Sequence, residues 1–465
     1  MTRAGCLGIA PLTARLEPWQ RELCDRPDLL AGWLAEHGSP LNVLDDGPLG
    51  RNAAELQSAA ATHGIELAIY LARKANKALT FVDEARRLGL GVDVASEREL
   101  RQVLDRGVPV DDVVVTAAVK PRALLESCVA SGVTVVLDNA DELALLRQVA
   151  AGSSGRTRVA FRLAPTLAGR TPSRFGLEPR EIVALAERHW PHGDERPLEI
   201  AGVHFHLDGY DADERVTALA QSVEVVDALR GLGHAPVFVD MGGGIPMSYL
   251  DDPDEWEGFW REHRAAMLGE RESLTFEGHG LGLMAHDGEL LGRPNVYPYH
   301  QRPIRGEWLS RVLERSADAL VSRGLQLRCE PGRALLDGCG MTVARVEFRK
   351  QRRDGTSLVG VAMNRTQCRS TSDDFMLDPL LLRPGGAGAG APIEGYLVGA
   401  YCVERELLTW RRLRFPAGVE VGDLVVFPNT AGYLMHILES ASHQIPLARN
   451  VVRAGDRAEL DPIDR

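Results

Sequence analysis

Four groups of residues in this chain have types and spacing suited to chemistry on a small charged molecule. Lys74, in IYLARKANK, follows an apolar run; an amine at the end of a buried strand is partly desolvated and can be neutral enough to form an imine with a carbonyl compound. His206 lies in GVHFHLDGY, where strand alternation sets Val203, Phe205 and Leu207 on one face and His204 with His206 on the other. Gly242, Gly243 and Gly244 stand together in VFVDMGGGIP, and consecutive glycines present backbone N–H groups without a Cβ in the way, which suits a phosphate dianion. Glu330, Gly332 and Arg333 occur in CEPGR. A carboxylate there can keep an aromatic ring nitrogen protonated, and a guanidinium offers a fork for a phosphate or carboxylate. Taken singly, each pattern also suits a plainer role: a surface lysine, a packed histidine, a turn, or an ion pair closing a sheet.

Hydrophobic periodicity supplies the elements that would bring these groups together. From about residue 65, short β-branched runs alternate with helical patterns such as SERELRQVLDRG and DELALLRQVA, as expected of βα units around a parallel sheet. The candidate strands are Leu67–Ala72, Gly91–Val94, Val113–Thr116, Val133–Leu137, Arg158–Leu163, Ile200–Leu207, Val237–Met241 and Leu325–Cys329. Eight such units suggest a (β/α)8 TIM barrel over residues 46–334, although an open doubly wound sheet satisfies the same pattern. Lys74 then falls after strand one, His206 after six, the glycines after seven and Glu330 after eight, all at one mouth. About eighty residues separate GGGIP from CEPGR, roughly twice what one βα unit needs, so an insertion near residues 247–310 is expected at the mouth. It carries His279, His286, Tyr297, Tyr299 and His300.

After Ala334 strands follow one another without intervening helices, in MTVARVEFRK, TSLVGVAM, EGYLVGAYC, RELLTWRRL and DLVVFP. This reads as an all-β domain of residues 1–45 and 335–465, joined by a strand around Pro40–Leu44, with RPGGAGAGAP (residues 383–392) as a mobile loop or linker. A chain of 465 residues with 45% apolar and 25% charged residues accommodates two such domains. The net charge of -12, with Lys and Arg dispersed, argues against nucleic acid or an anionic membrane as partner. Seven cysteines form no CxxC pair and no metal-ligand spacing, and no stretch approaches a membrane span. A reducing, cytoplasmic setting without a metal site is the expectation.

In that order, YLARKAN, GVDVAS, SRFGL, HFH, DMGGG, CEPGR, AYC and Gly432-Tyr433 resemble the fold-type-III pyridoxal-phosphate decarboxylases. That group includes the diaminopimelate, ornithine and biosynthetic arginine decarboxylases and has an alanine-racemase-like barrel; the resemblance runs from about Pro40 to near the C-terminus. It implies pyridoxal 5′-phosphate as cofactor, Lys74 as its Schiff-base lysine, and His206 stacked on its ring. It further implies that Gly242, Gly243, Gly244, Gly332 and Arg333 hold the phosphate with Tyr433 nearby, that Glu330 pairs with the pyridine nitrogen, and that Asp93 and Glu99 line the mouth. Cys402 stands where the family keeps a reprotonating cysteine supplied by the second subunit, which implies a homodimer with shared sites.

Several positions depart from that pattern. Asp208-Gly209 replaces a Gly-Ser pair whose serine helps hold phosphate, and Gly360 and Val403 replace two acidic residues. Arg365 and Arg369 follow the Met-Asn pair instead, and with Tyr401 they are the candidates for substrate contact. The resemblance implies decarboxylation of an amino acid at Cα, through an external aldimine and a quinonoid, on a substrate other than simple ornithine or lysine. A racemase or epimerase, with Lys74 and Cys402 exchanging protons on opposite faces, is the alternative. A non-catalytic relative is a third reading, opposed by the retention of Lys74, Glu330 and Cys402 together.

Overall fold

Eight short aliphatic runs pair in parallel and close on themselves: β1 (Leu67–Ala72), β2 (Gly91–Val94), β3 (Val113–Val115), β4 (Thr134–Leu137), β5 (Thr157–Leu163), β6 (Leu198–Phe205), β7 (Phe238–Asp240) and β8 (Gln326–Cys329). Closure is made by β8, which pairs Leu327 with Leu67 of β1 and with Val239 of β7. The open-sheet alternative is thereby excluded. The molecule is seen as a computed structural model that describes residues 5–153, 155–190, 197–370, 375–386, 388 and 390–465.

Burial on both faces explains why these strands lack polar alternation. Tyr70, Val114, Val136, Ala160, Ala201 and Phe238 fill the inside of the barrel, while Ile69, Val92, Val115, Val135, Phe161, Val203 and Val239 pack outward under the helices. Several ring helices begin with side-chain caps, such as Ser96 on Glu99 N–H, Asn139 on Glu142 N–H and Asp211 on the N–H groups of Asp213 and Glu214.

The second unit is built on a ten-stranded sheet among the described residues. Its long central strand β9 (Gly340–Gln351) pairs antiparallel with Leu41–Leu44, with β10 (Ser357–Val361) and, past β11 (Leu380–Leu382), β12 (Ile393–Val398) and β13 (Leu413–Phe415), with β14 (Leu424–Pro428). Leu41–Leu44 also pairs in parallel with β15 (Arg449–Ala454), which is edged by β16 (Arg457–Leu460). The expected N-terminal strand is therefore present. The segment before it is not all β: Pro18–Cys24 and Pro27–His37 are helices, each opened by a proline at its first position. They cover one face of the sheet, where Trp19, Leu23, Leu30, Trp33 and Leu34 pack on Leu41, Val43, Met341, Val343 and Val426. Burying side chains of this size stabilises by about 1.5–3 kcal/mol each, which is why the helical pattern prevails over a strand here. In the glycine-rich run, Pro384–Gly386 forms a single turn, and positions 387 and 389 lie outside the described residues.

The long connection from β7 to β8 holds the helix Pro253–Met267 and the hairpin Leu283–His286 with Glu289–Gly292. It then returns to the ring as the helix Arg305–Leu313. Bridges from Leu250 to Ala14 and from Thr275 to Arg411 fasten it to the N-terminal segment and to the β unit. Among the described residues no helix is long and apolar enough to cross a membrane.

Candidate active site

Lys74 sits in a single 3-10 turn, Arg73–Ala75, that ends β1. Arg73 is buried and clamps the turn by donating to the carbonyls of Asn76 and Lys77. The β unit holds the same turn from the other side: the Tyr433 N–H donates to the Ala75 carbonyl at 2.8 Å, and Asn76 Nδ2 to the Ala431 carbonyl at 2.9 Å. Lys74 Nζ forms an ion pair with Asp93 Oδ2 at the end of β2 and lies 3.9 Å from Glu330 Oε2. Burial pushes the ammonium down, but Asp93 and then Glu330 outweigh it and hold it above its ordinary value. The expectation that desolvation leaves this amine neutral is thus corrected, because a contacting carboxylate overrides a partial loss of water.

Glu330 follows β8 and is 3% exposed. Its Oε1 lies 3.3 Å from His204 Nε2, and one ligand atom each from His204, Asp240 and Glu330 converge within 4.8 Å of one another. Burial raises both carboxyl groups above their ordinary range, and the charge of Glu330 raises Asp240 further. Burial pushes His204 well down, so its ring is neutral. Sequence reasoning singled out His206 and passed over this buried His204–Asp240 pair; the DMGGG segment was the available signal, since it puts an aspartate at the end of an otherwise apolar strand.

His206 is half-buried beside Lys74. Burial and then the Lys74 charge push its imidazole down to about 3, and its Nδ1 accepts the Gly243 N–H at 3.4 Å. The Gly242 N–H is also taken, by Asp240 Oδ1 at 2.9 Å. These two glycines shape the turn rather than present free donors: a Cβ at Gly242 would fall 2.6 Å from the Phe205 carbonyl oxygen, and one at Gly243 2.9 Å from that of Glu330. Free N–H groups include those of Gly209, Gly244 and Ile245, which find no hydrogen-bond partner among the described residues.

Those three residues line a cleft of about 560 Å³ with His206, Asp208, Tyr210, Gly332, Arg333 and Tyr433. The Arg333 guanidinium lies between two rings, 4.2 Å from the Tyr297 centroid and 4.8 Å from that of Tyr433, and donates to Ser370 Oγ at 2.8 Å. A Cβ at Gly332 would meet Tyr433 at 2.6 Å. Tyr297 and Tyr299 of the inserted segment are buried against Tyr249, and His279 stacks on Trp410 at 4.0 Å. A second cleft, of about 580 Å³, is lined by Lys74, Thr116, Arg162, Phe175, His204, His206 and Glu330.

Cys402, Tyr401, Arg365, Arg369 and Glu99, all expected at the site, line neither cleft. Cys402 is exposed in the loop after β12. Tyr401 stacks on His443 at 5.1 Å and donates to the Ser440 carbonyl. Arg365 lies 3.4 Å from Glu406 Oε2, and buried Arg369 donates to the Leu407 carbonyl at 2.6 Å. Glu99 accepts the Ala95 N–H at 2.7 Å and is raised by burial.

This chemistry has close parallels among known proteins. Residues 51–280 match the family described as pyridoxal-dependent decarboxylase, pyridoxal binding domain. The uncharacterized protein y4yA of Sinorhizobium fredii is 31% identical over 429 residues, covering 90% of this chain and 88% of that protein. The diaminopimelate decarboxylase of Archaeoglobus fulgidus is 25% identical over 453 residues, covering 91% and 90%. In fold, the chain is similar to the crystal structure of Helicobacter pylori diaminopimelate decarboxylase complexed with L-lysine, with a TM-score of 0.69 at 17% identity over 93% of this chain and 95% of that one. It is also similar to the Paramecium bursaria Chlorella virus arginine decarboxylase bound to agmatine, with a TM-score of 0.66 at 15% identity over 91% and 99%. Agreement of sequence along nine-tenths of the chain with agreement of fold identifies it as a fold-type-III pyridoxal-phosphate decarboxylase, an amino-acid carboxy-lyase whose cofactor is pyridoxal 5′-phosphate.

Proposed function

We propose that this chain releases the α-carboxylate of an amino acid as carbon dioxide at the barrel mouth, and that the amino acid is not simple ornithine or lysine. The observation that carries the reading is Glu330, a buried carboxylate at the barrel mouth 3.9 Å from Lys74 Nζ. The residues present fit pyridoxal phosphate at both ends. Glu330 Oε1 and Arg333 Nε are buried without a hydrogen-bond partner, and the turns after β6 and β7 leave the Gly209, Gly244 and Ile245 N–H groups free. When bound, pyridoxal phosphate supplies an electron-poor ring that takes up the electron pair left on Cα as the carboxylate departs.

The remaining work falls to the chain. Lys74 would hold the cofactor's carbonyl carbon through Nζ, and Asp93, in contact with that nitrogen, keeps the amine charged until the cofactor is bound. Glu330 would hold the ring nitrogen in its protonated form, the form that favours loss of the carboxylate over loss of the Cα proton. His206, neutral at physiological pH, would lie against the ring face. Gly244, Arg333 and Tyr433 bind the phosphate, with Gly242 and Gly243 setting the turn. Cys402 returns a proton to Cα from the partner subunit of a homodimer, consistent with its exposure and its distance in sequence from its own barrel.

The substrate follows from two empty positions. Gly360 pairs with Phe348 across β9 and β10, and a Cβ at Gly360 would lie 2.1 Å from the Phe348 ring; Val403 is exposed and uncharged. A distal ammonium finds no carboxylate at either position, and a desolvated ammonium without one costs several kcal/mol. Arg365 and Arg369, the candidates for an anionic side chain, are engaged by Glu406 and the Leu407 carbonyl and line neither cleft, so the substrate reading rests on Gly360 and Val403. Carbon dioxide release and chiral inversion measured over an amino-acid panel test the reading. Efficient turnover of ornithine or lysine would overturn the substrate assignment, and inversion without carbon dioxide would overturn the reaction.

A further inference from the structure

Beneath the cleft that contains Gly209 and Gly244 lies a charge with nothing to neutralise it. Arg215, in the first turn of the helix Ala212–Gly231, is 0% exposed. Its Nη2 alone makes all its hydrogen bonds, to the carbonyls of Leu207 (3.2 Å), Gly209 (2.9 Å), Gly243 (3.3 Å) and Gly244 (3.4 Å). Nε and Nη1 are buried without a partner. Of the acidic residues around it, Glu214 is engaged with Arg170 at 2.5 Å, Asp213 with Arg315 and Asp211 with the N–H groups of the helix start, while Asp208 acts on it only from a distance. Among the described residues no carboxylate lies within ion-pairing distance of Arg215. Burial pushes its guanidinium down to about 10, so it remains charged at neutral pH. A buried cation with no anion is strongly destabilising.

The four carbonyls it gathers belong to the two turns that floor the cleft, the one after β6 and the one after β7. Holding those oxygens on the Arg215 side accounts for the N–H groups of the same peptide units, those of Asp208, Tyr210, Gly244 and Ile245, being left free on cleft-lining residues. Gly244 must be glycine for this packing, since a Cβ there would fall 2.2 Å from Arg215 Nη2. Gly209 contributes no hydroxyl to the cleft. A cation behind the turns and free N–H groups in front of them form one anion receptor.

We propose that Arg215 is a positioning residue that supplies the buried counter-charge for the cofactor's phosphate dianion and orients the Gly209 and Gly244 turns around it. This rests on pyridoxal phosphate occupying the cleft as described above. The test compares pyridoxal phosphate with pyridoxal, which lacks the phosphate, in titrations of cofactor-free protein followed by absorbance. In Arg215→Met, affinity for pyridoxal phosphate falls by about thirtyfold or more while affinity for pyridoxal changes little, and Arg215→Lys recovers most of the loss. Equal losses for both ligands, or no recovery with lysine, would defeat this inference alone. If the wild type binds no pyridoxal phosphate at all, the cofactor reading falls and this inference with it. Should Arg215→Met fail to fold, phosphorus NMR of the wild-type holoenzyme decides: the bound phosphate stays dianionic from about pH 8 down to about pH 5.5. A bound phosphate that titrates near about pH 6, as a free phosphomonoester does, refutes the role.

Discussion

Replacing Asp93 by asparagine isolates the contact that keeps Lys74 charged. Lys74 Nζ touches Asp93 Oδ2 and has Glu330 Oε2 at 3.9 Å. Burial favours the neutral amine, and the two carboxylates, Asp93 above all, favour the ammonium and prevail. An opposite charge in contact shifts a pKa by about 1–3 units toward the charged form; removing it therefore lowers the lysine by that amount, and Glu330 prevents a complete collapse. At a fixed pH below the lysine's titration, the neutral fraction rises about 10- to 1,000-fold. Only the neutral amine attacks a carbonyl carbon, so capture of pyridoxal phosphate by cofactor-free protein should quicken at least about tenfold at pH 7. Its pH profile should also move to lower pH. Thr116 Oγ1, which donates to Asp93 Oδ1, still finds an amide oxygen in the variant, so the local packing survives. Stopped-flow absorbance gives the rate, and borohydride reduction followed by mass spectrometry gives the site of attachment. A capture rate and pH midpoint both unchanged from wild type would refute the electrostatic reasoning.

Lys74→Ala should abolish turnover and any borohydride-reducible attachment while leaving the fold intact by circular dichroism; a reducible adduct at another lysine with normal turnover sinks the assignment. Mixing inactive Lys74→Ala and Cys402→Ala chains should restore up to about a quarter of wild-type activity, because random pairing makes half the dimers mixed, each with one intact site. No activity in verified mixed dimers counts against shared sites. His436, whose Nδ1 accepts the Lys77 N–H at 3.2 Å, is held down to about 3, chiefly by burial. Unfolded histidine binds its proton near about pH 6.5, so this group lowers stability as pH falls below that value, by about 2 kcal/mol at pH 5. His436→Gln should shrink the loss of stability between pH 7 and pH 5 by about that amount in denaturant titrations, and an unchanged difference contradicts it.

The barrel strands and the residues at their ends were legible because both leave local marks: eight apolar runs of strand length, four of them followed by a residue type that is unusual at a strand end. Lys74, His206 and Glu330 meet at one mouth because parallel strands share a direction, a rule that needs no tertiary information. Partnerships were less legible. Period-two alternation grouped His204 with His206, but only the closed barrel shows that His204 is sealed against Glu330 while His206 turns toward the cleft. Arg215 sits in YDADERV, a sequence that reads as a solvated helix start, and its burial follows from the turns after β6 and β7 folding over it. The N-terminal helices were merged into the β unit because proline and short length mask a helical period of only two or three turns. The free donors shifted from Gly242 and Gly243 to Gly244 and its neighbours, since Asp240 and His206 claim the first two N–H groups.

The turn carrying Lys74 is finished by residues made long after it. Asp461 accepts the Leu79 and Thr80 N–H groups, each at 2.9 Å and across 382 residues of sequence for Leu79, and so serves as the missing cap of the helix Thr80–Arg87, whose own preceding residue offers none. Tyr433 and Ala431 hold Ala75 and Asn76 in the same way. On the ribosome, the barrel can emerge with its strands complete while the lysine turn still lacks these bonds. The cofactor-binding geometry is therefore completed only once Asp461 has been made, and a nascent chain stalled before residue 461 carries the reactive amine on an unfinished turn.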